Sequence, residues 1–319
     1  MFDLVRGDLV RVEEELGRCS ASAIEPVAAI ARYLQSGGGK RLRPALHLLA
    51  AGFCGYQGPS AVHLGAVLEL LHTATLMHDD VIDGADTRRG RASTNRRWGN
   101  PMTVLTGDWL YMQAFRVALA ERNLRILDIL IELTQMMVEG ELVQLTQLGR
   151  ADISEDEALD ISRRKTACLF AACLRLGATL GGKSQAEEEQ LARYGLNLGM
   201  AFQIIDDLLD FTATSERLGK PVVNDLREGK VTLPLVYALQ QAPAVARKKV
   251  ETVLAEREFG SVSAEEIVAL VRDSGAVEQS RACAQGFVAE AYRCLEPFPA
   301  SPYKRALEAV PQFILHRDY

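Results

Sequence analysis

Apolar residues recur at intervals of three and four along nearly the whole of this 319-residue chain. That spacing places apolar side chains on one face of an α-helix, whereas the alternating β-branched runs that are typical of strands are scarce. Helix starts are indicated by three capping-box pairs, Ser154 and Glu157, Ser184 and Glu187, and Ser263 and Glu266. Helix ends are indicated by segments rich in glycine or proline at 37–39, 181–182, 241–243 and 297–302. The sequence therefore predicts an all-α fold.

Composition bounds the domain organisation and the class of partner. Hydrophobic residues make up 48% of the chain and no Pro/Ser-rich linker interrupts it, so we expect one domain over residues 1–319. A net charge of −6 argues against a nucleic-acid binder. The six cysteines have no CxxC spacing, which favours buried thiols in a reducing compartment over disulfides or zinc ligands. Without a signal-peptide core or a run of 18 apolar residues, we expect a cytoplasmic protein with no stable membrane span.

Two acidic pentads, which we name the first and second aspartate motifs, are the strongest functional signal. The first is Asp79-Asp80-Val81-Ile82-Asp83, and the second, 127 residues later, is Asp206-Asp207-Leu208-Leu209-Asp210. On a helix the three aspartates of each pentad lie on one face, and aliphatic residues flank both motifs. Three carboxylates in such a setting repel one another unless a cation lies between them.

Mg²⁺ is the cation that this pattern favours, because it prefers oxygen ligands and is commonly held by carboxylates together with substrate phosphates. Two facing motifs would hold a polyanion between metal ions. A solvated acidic stripe on a surface helix is the alternative, and the matched spacing of two copies weakens it. A calcium-binding loop starting at Asp79 would place Val81 and Gly90 where ligands belong, and a glycosidase needs two carboxyls rather than two triplets.

Cationic segments accompany the motifs. Residues 37–44, Gly-Gly-Gly-Lys-Arg-Leu-Arg-Pro, put three cations beyond a glycine turn where the backbone can approach a phosphate, although the segment lacks the Ser or Thr of a P-loop. The segment 88–91, Arg-Arg-Gly-Arg, follows the first motif, and arginine forks suit phosphate oxygens. Four further residues could contact the same ligand or simply be solvated: Lys165, Thr166, Lys220 and Lys230.

Histidines divide into one candidate ligand and several structural residues. His72 lies two helical turns before Asp79, so both belong to one helix face and His72 is a candidate substrate ligand. His47, His63 and His316 are interpreted as satisfied polar groups, because nothing acidic shares their spacing.

Together these residues resemble the trans-type polyprenyl diphosphate synthase family, and most of all its medium- and long-chain octaprenyl and heptaprenyl types. The resemblance covers about residues 37–234 and is specific, because many motifs occur in one order. Besides the two aspartate motifs, they are the segments 38–44, 72–78, 88–90, 107–108, 165–167, 199–203 and 229–230. The resemblance implies an isoprenoid synthase-type bundle of ten or more helices around a central cavity, usually as a homodimer.

The resemblance also implies a prenyltransferase that adds isopentenyl diphosphate to an allylic diphosphate primer, with Mg²⁺ as cofactor and three ions expected per active site. The metal ligands implied are Asp79, Asp80, Asp83, Asp206, Asp207 and Asp210. The residues implied to hold the allylic diphosphate are Arg88, Lys165, Thr166, Gln203, Lys220 and Lys230. Those implied to hold isopentenyl diphosphate are Lys40, Arg43, His72 and Arg89. The catalytic set expected among them is Asp79, Asp80, Asp83, Arg88, Lys165, Asp206 and Lys220.

The chemistry agrees with these residue types, because cations that bind diphosphate also stabilise it as a leaving group. The allylic cation so formed would be attacked by the double bond of isopentenyl diphosphate, and no protein general base is required. The family's basic C-terminal tail is only partly present, as Arg317-Asp318-Tyr319, so a closing role for it stays open.

Product length is expected to depend on the residues before the first motif. In the family a bulky aromatic five or four residues before the first aspartate stops chain growth early, whereas this chain has Ala74 and Thr75, with Leu71 continuing an aliphatic wall. We therefore expect an all-trans product of about C30 to C50, with a C20 geranylgeranyl product as the alternative. A tight helix contact at Ala74 is the other interpretation.

Two other functions share part of this pattern. A terpene cyclase shares the first aspartate motif but has less use for a second substrate site. A partner-dependent subunit of a hetero-oligomeric synthase would keep the fold, although such subunits typically lack one motif and both are intact here.

Overall fold

The computed structural model describes residues 2–88, 90–212 and 222–317. Arg89 and Lys220, to which the sequence assigned substrate binding, lie outside the described residues. The predicted all-α fold is confirmed, since the described residues form more than ten helices and one short hairpin. The hairpin pairs β1 (Thr87–Arg88) with β2 (Arg91–Ala92), antiparallel and with Arg88 opposite Arg91.

The helices follow one another with short connections. After a 3₁₀ turn at Phe2–Val5, the first seven are α1 (Arg6–Cys19), α2 (Glu25–Ser36), α3 (Leu42–Phe53), α4 (Ser60–Ile82), α5 (Thr94–Trp98), α6 (Asn100–Ala120) and α7 (Leu124–Gln147). The next four are α8 (Glu155–Ser162), α9 (Cys168–Leu180), α10 (Gln185–Thr212) and α11 (Asn224–Arg227), with a π-helical turn at Arg163–Ala167 between α8 and α9. The last five are α12 (Leu233–Gln240), α13 (Ala244–Glu256), α14 (Ala264–Asp273), α15 (Ala276–Leu295) and α16 (Pro302–Leu315).

The predicted helix boundaries agree with the local hydrogen bonds. Ser154 Oγ accepts a bond from the Glu157 backbone N–H at 3.2 Å, and the Glu157 carboxylate accepts one from the Ser154 backbone N–H at 2.8 Å. The other two capping boxes form in the same way. These three helices therefore start where a side chain satisfies backbone donors that have no partner within the helix.

The chain forms two compact units. Unit one comprises Met1–Thr134, Leu169–Ala192 and Leu295–Ala309, and unit two comprises Gln135–Cys168, Arg193–Cys294 and Val310–Tyr319. The single domain expected from the sequence stays a prediction.

Helix α4 is the core of unit one. It packs against α1, α3 and α6, and 13 of its 23 residues are buried, because its sequence is apolar on nearly every side. By length and composition it could cross a membrane, yet 67% of its most apolar window is buried within the fold, as in a core helix of a soluble protein. The first aspartate motif therefore lies at the end of a helix whose course is set by packing on several sides.

Unit two is built around the second half of α10 and the short helix α12. Every residue from Leu233 to Leu239 is buried, and Tyr237 donates a hydrogen bond from its hydroxyl to Glu155 Oε1 at 2.8 Å. Packing on all sides leaves α12 little freedom and ties it to the start of α8.

The histidines interpreted as structural do have structural partners. His63 Nδ1 lies 2.7 Å from Glu121 Oε1, and His316 Nδ1 lies 2.8 Å from the Gln312 carbonyl oxygen. His47, on α3, is fully buried, and its Nδ1 lies 3.1 Å from the carbonyl oxygen of Cys173 on α9. Burial lowers the pKa of His47 from 6.5 to about 4.

We expect this shift to make the protein less stable in weak acid. Between the folded pKa of about 4 and the unfolded value of 6.5, the unfolded state binds more protons, so the free energy of unfolding falls as the pH falls through that range. The linkage relation gives a loss of about 2 kcal/mol from this residue between pH 7 and pH 5. Urea unfolding at both pH values, for the parent and for His47→Gln, measures it. Equal losses in the two proteins would contradict the assignment.

Candidate active site

The first aspartate motif lies at the C-terminal end of α4. The helix ends at Ile82, so Asp83 is the residue just beyond it rather than a residue within it. Its backbone N–H still donates to the Asp79 carbonyl oxygen at 2.8 Å, which keeps the two residues one turn apart as predicted. Asp79 and Asp83 are partly exposed, whereas Asp80 is buried.

Asp80 is paired with the hairpin that follows the motif. Arg88 donates from Nε to Asp80 Oδ1 at 2.5 Å, and the amide of Asn95 donates to the Asp80 carbonyl oxygen at 3.0 Å. Burial raises the pKa of Asp80, and the Arg88 guanidinium opposes that rise. Arg88, which is predicted to bind diphosphate, is thus held beside the first aspartate motif by its pairing with Asp80.

Two cationic residues that follow the glycine turn after α2, Lys40 and Arg41, differ in their surroundings. Gly38 has a φ of 62°, and Arg41, with a φ of 47°, is also left-handed at the start of α3. Arg41 Nη1 donates to the buried Glu69 at 2.6 Å, and the same guanidinium pairs with Glu13. Arg41 is therefore occupied within the fold, whereas Lys40 is exposed.

Arg43 and His72, both predicted to hold isopentenyl diphosphate, do lie together. Arg43 Nη1 is 3.1 Å from His72 Nε2, and its guanidinium lies 5.6 Å from the centre of the Phe170 ring. His72 lines a cavity of about 90 Å³ in unit one. Other lining residues from the predicted motifs include Gly37, Gly38, Asp80, Arg88 and Arg91. The glycine turn, α4 and the hairpin therefore all line one cavity.

The second aspartate motif lies within α10, near its C-terminal end. Its three carboxylates differ in environment: the side chain of Asp206 is 50% exposed, whereas Asp207 and Asp210 are buried. Asp210 Oδ2 accepts a bond from the Asp225 backbone N–H at 3.2 Å, which ties α11 to the motif. The motif is therefore a graded set of carboxylates rather than a uniform acidic face.

A chain of hydrogen bonds leads to Asp207 from the π-helical turn. Thr166 donates from Oγ1 to Gln203 Oε1 at 2.7 Å, and Gln203 donates from Nε2 to Asp207 Oδ1, also at 2.7 Å. Burial raises the pKa of Asp207 well above its usual value, the charge of Asp225 adds to the rise, and the bond from Gln203 opposes it. Three residues that the sequence singled out are thus brought into one network.

The predicted lysines of unit two have acidic or amide partners. Lys165 Nζ donates to Gln144 Oε1 at 3.1 Å and pairs with Glu141. Lys230 Nζ donates to Glu228 Oε2 at 2.8 Å.

Arg317 adds a residue whose part in the site the sequence left open. Its Nη2 donates to Asp206 Oδ1 at 2.5 Å, and its guanidinium stacks 4.0 Å from the centre of the Phe202 ring. The side chain is only 9% exposed. A single arginine at the chain end, 111 residues from its partner, carries no pattern that predicts this pairing. The only sequence signal was that the C-terminal tail is partly basic.

The carboxylates of the second motif are of the ligand type that a hard divalent cation prefers. The ionised form of the Asp207 carboxyl is destabilised by burial and by three neighbouring aspartates, Asp206, Asp210 and Asp225. A hard cation bound there would offset that repulsion. Among the residues that the structure describes, no three His, Cys, Asp or Glu side chains already form a cluster that could hold a metal ion.

The predicted site residues fall in both units. Unit one contains Lys40, Arg43, Leu71, His72, Ala74, Thr75, Arg88 and the first motif, and unit two contains Lys165, Thr166, Gln203, Lys230 and the second motif. Leu71 and Ala74 are fully buried, and Thr75 is partly exposed. A site shared by both motifs stays a prediction.

Comparison with known proteins establishes the family. The family model described as polyprenyl synthetase matches residues 24–271, and the chain belongs to that family. It is 36% identical over 316 residues to octaprenyl diphosphate synthase of Escherichia coli K12, covering 99% of this chain and 98% of that protein. It is also 36% identical to heptaprenyl diphosphate synthase component 2 of Geobacillus stearothermophilus, covering 100% and 98%.

A solved structure shares the fold at full length. It is the crystal structure of polyprenyl synthase from Caulobacter crescentus CB15 complexed with calcium and isoprenyl diphosphate, with a TM-score of 0.95, 35% identity, and coverage of 99% of this chain and 96% of that one. The resemblance to the medium- and long-chain synthases and the isoprenoid synthase-type helical fold are thereby confirmed.

The close approach of α10 to the π-helical turn yields a test of how the site is supported. A Cβ atom at Gly199 would lie 2.4 Å from Ala167 Cα, so Gly199→Ala must displace the turn that carries Lys165 and Thr166. We expect a loss of about 1–3 kcal/mol in the free energy of unfolding, measured in urea. Gly286→Ala, in helix α15 with open space around it, is the matched control and should be neutral or slightly stabilising. Equal effects would show that the contact is unimportant.

Proposed function

We propose that this protein is a trans-polyprenyl diphosphate synthase that adds isopentenyl diphosphate units to an allylic diphosphate primer and makes a product of about C30 to C50. The observation that carries the proposal is the occurrence of two intact aspartate motifs, each with its own partner cation, in a chain that matches prenyl diphosphate synthases over 99% of its length. We place this enzyme in isoprenoid biosynthesis and expect it to be soluble and cytoplasmic, which is consistent with its buried helical core.

The two substrates would bind to different sets of residues. Arg88, Lys165, Thr166, Gln203 and Lys230, together with Lys220, would hold the allylic diphosphate. Lys40, Arg43 and His72, together with Arg89, would hold isopentenyl diphosphate. The contact between Arg43 and His72, and the position of His72 in the lining of the cavity of unit one, support the second assignment.

The aspartates of both motifs, Asp79, Asp80, Asp83, Asp206, Asp207 and Asp210, would hold Mg²⁺, with three ions per active site. Bound Mg²⁺ supplies charge stabilisation for the diphosphate leaving group. The raised pKa of Asp207 supports this role, because the carboxyl lies among like charges that a cation would offset.

The protein's own part in the reaction is to bind, orient and exclude water. Arg88 and Lys165 would stabilise the negative charge that develops on the diphosphate as its bond to the allylic carbon breaks. The isopentenyl double bond then attacks that carbon, and the proton is lost to the departed diphosphate. Leu76 and Met77, which line the cavity beside Asp80, would keep water away from the cation.

Product length would be set below the first motif, where Ala74 and Thr75 replace the aromatic residues of short-chain enzymes. Geranylgeranyl diphosphate is the alternative product. The full burial of Ala74 supports a close contact there, and the partial exposure of Thr75 makes it the better position for testing added bulk.

A homodimer is the proposed assembly. Helix α6 exposes Leu105, Met112 and Leu119 at intervals of seven residues, and α7 exposes Leu124 and Ile131 at the same interval. Exposed apolar side chains in such a stripe mark a surface that is buried against another protein, and a second copy supplies a matching stripe.

A partner-dependent subunit is the second candidate. It is favoured by one observation, the 36% identity with a protein named as component 2 of a heptaprenyl diphosphate synthase. Such a chain would need another component before it turned over substrate.

The deciding experiment is mass spectrometry of the products formed from isopentenyl diphosphate and farnesyl diphosphate with Mg²⁺, with an EDTA control. We expect a metal-dependent ladder that ends at one length, and we expect Asp79→Asn to abolish it with little change in melting temperature. The corresponding variant of the second motif is Asp206→Asn rather than Asp206→Ala, because the asparagine side chain keeps a hydrogen-bond acceptor for the buried Arg317. Folded protein that fails with every allylic primer would favour the partner-dependent subunit.

Substitution of Thr75 by phenylalanine tests chain-length control. A ring there should block the growing chain, so the products of Thr75→Phe should end at a shorter length while total incorporation of isopentenyl units stays within about threefold of the parent. Product chromatography and melting temperature measure both effects. An unchanged product length in a folded, active variant would mean that this position does not limit growth.

A further inference from the structure

We propose that Arg91 is a positioning residue: it braces the glycine turn that carries Lys40 against the hairpin that follows the first aspartate motif, and so sets the affinity for the diphosphate of isopentenyl diphosphate. This inference rests on the proposed function for its substrate. Its structural part, a brace between two segments, rests only on contacts within unit one.

The first contact joins β2 to the end of α2. Arg91 Nη1 donates to the Tyr33 carbonyl oxygen at 3.3 Å and to Ser36 Oγ at 3.1 Å. Ser36 is the last residue of α2, and the last carbonyls of a helix lack partners within it. A guanidinium there satisfies such a carbonyl and interacts favourably with the negative end of the helix dipole. The Tyr33 carbonyl also accepts a bond from Ser36 Oγ at 2.9 Å, so Arg91 adds a second donor at the point where α2 ends and the turn begins.

The second contact is a stack on the same residue. The Arg91 guanidinium lies 4.0 Å from the centre of the Tyr33 ring, and the Tyr33 hydroxyl donates to the Ala92 carbonyl oxygen at 2.7 Å. Tyr33 is thus held by both residues of β2, one through its ring and one through its hydroxyl. Lysine cannot reproduce this arrangement, because it lacks the planar fork that stacks and donates at once.

The opposite strand of the hairpin is fixed at the first aspartate motif. Arg88 on β1 pairs with Asp80, and Arg88 is the register partner of Arg91. The two-stranded hairpin therefore links Asp80 on one side to the end of α2 on the other. Both ends line the cavity that also contains His72.

The glycine turn follows the brace directly. A Cβ atom at Gly37 would lie 3.4 Å from Arg91 Nη1, so the guanidinium packs against the first residue of the turn. Gly38 then takes a φ of 62° and Lys40 follows two residues later. Because glycine gives this turn wide conformational freedom, an anchor at its start restricts where the Lys40 ammonium can lie.

The test compares Arg91→Gln, Arg91→Lys and Tyr33→Leu with the surface control Arg96→Gln, whose side chain is 72% exposed and 3.7 Å from Asp86. We expect the first three to raise the KM for isopentenyl diphosphate about tenfold, and its Kd by calorimetry equally, while the KM for the allylic primer and kcat change less than threefold. The effect of the double variant Arg91→Gln with Tyr33→Leu should be smaller than the sum of the two single effects, because the stack between Arg91 and the Tyr33 ring is lost in both single variants. Arg96→Gln should match the parent.

A readout independent of turnover is tryptic cleavage after Lys40, identified by mass spectrometry. It should be faster in the three brace variants than in the parent, and unchanged in Arg96→Gln. If cleavage is faster in the brace variants but the parent protein neither binds nor consumes isopentenyl diphosphate, the proposed function is refuted and the structural role of Arg91 is supported. Normal affinity in Arg91→Lys, additive effects in the double variant, or unchanged cleavage in an active enzyme would each overturn the inference.

Discussion

The burial of carboxylates among apolar helices is the constraint on which the candidate site depends. Asp80, Asp207 and Asp210 are buried near the C-terminal ends of α4 and α10, next to aliphatic residues such as Met77, Ile205 and Leu208 that are buried as well. Removing a carboxylate from water is costly unless a cation or a hydrogen-bond donor replaces the solvent. Each motif therefore has neighbours that supply such a donor, and two of the residues proposed to bind substrate, Arg88 and Gln203, are among them.

The two motifs meet this constraint in different ways. At the first, Arg88 reaches Asp80 from a hairpin that starts four residues after Asp83. At the second, Arg317 pairs with Asp206 from 111 residues away, while Gln203, one turn before Asp207 on the same helix, links it to Thr166 in the π-helical turn. A π-helical turn is uncommon and often occurs at functional sites, because it redirects side chains that a regular helix would point elsewhere. Here it brings Thr166 within hydrogen-bond distance of Gln203.

Helix starts and ends could be predicted because they depend on local chemistry. The serine and glutamate of each capping box are three residues apart, and glycine or proline accompanies the ends of α2, α9 and α12. The aspartate triplets and the pairing of Arg43 with His72 could be expected as well, from spacing and from family resemblance. The sequence placed Asp83 on the helix of the first motif, whereas that helix ends at Ile82 and Asp83 lies just beyond it, since the chain turns away at Gly84, whose φ is 62°. The roles of Arg41, Arg91 and Arg317 could not be predicted, because an arginine in a basic segment does not reveal its partner.

The sequence by itself determined the helical class, the helix boundaries marked by capping boxes or by glycine and proline, the family and the identity of the residues that carry charge near the two motifs, since these depend on periodicity, capping and motifs in a fixed order. Only the tertiary structure decided which cation is paired with which carboxylate. Arg41 pairs with Glu69, Arg88 with Asp80 and Arg317 with Asp206, across separations of up to 111 residues along the chain. The physical reason is that ion pairs and helix contacts form in three dimensions between side chains whose separation along the chain carries no periodic signal.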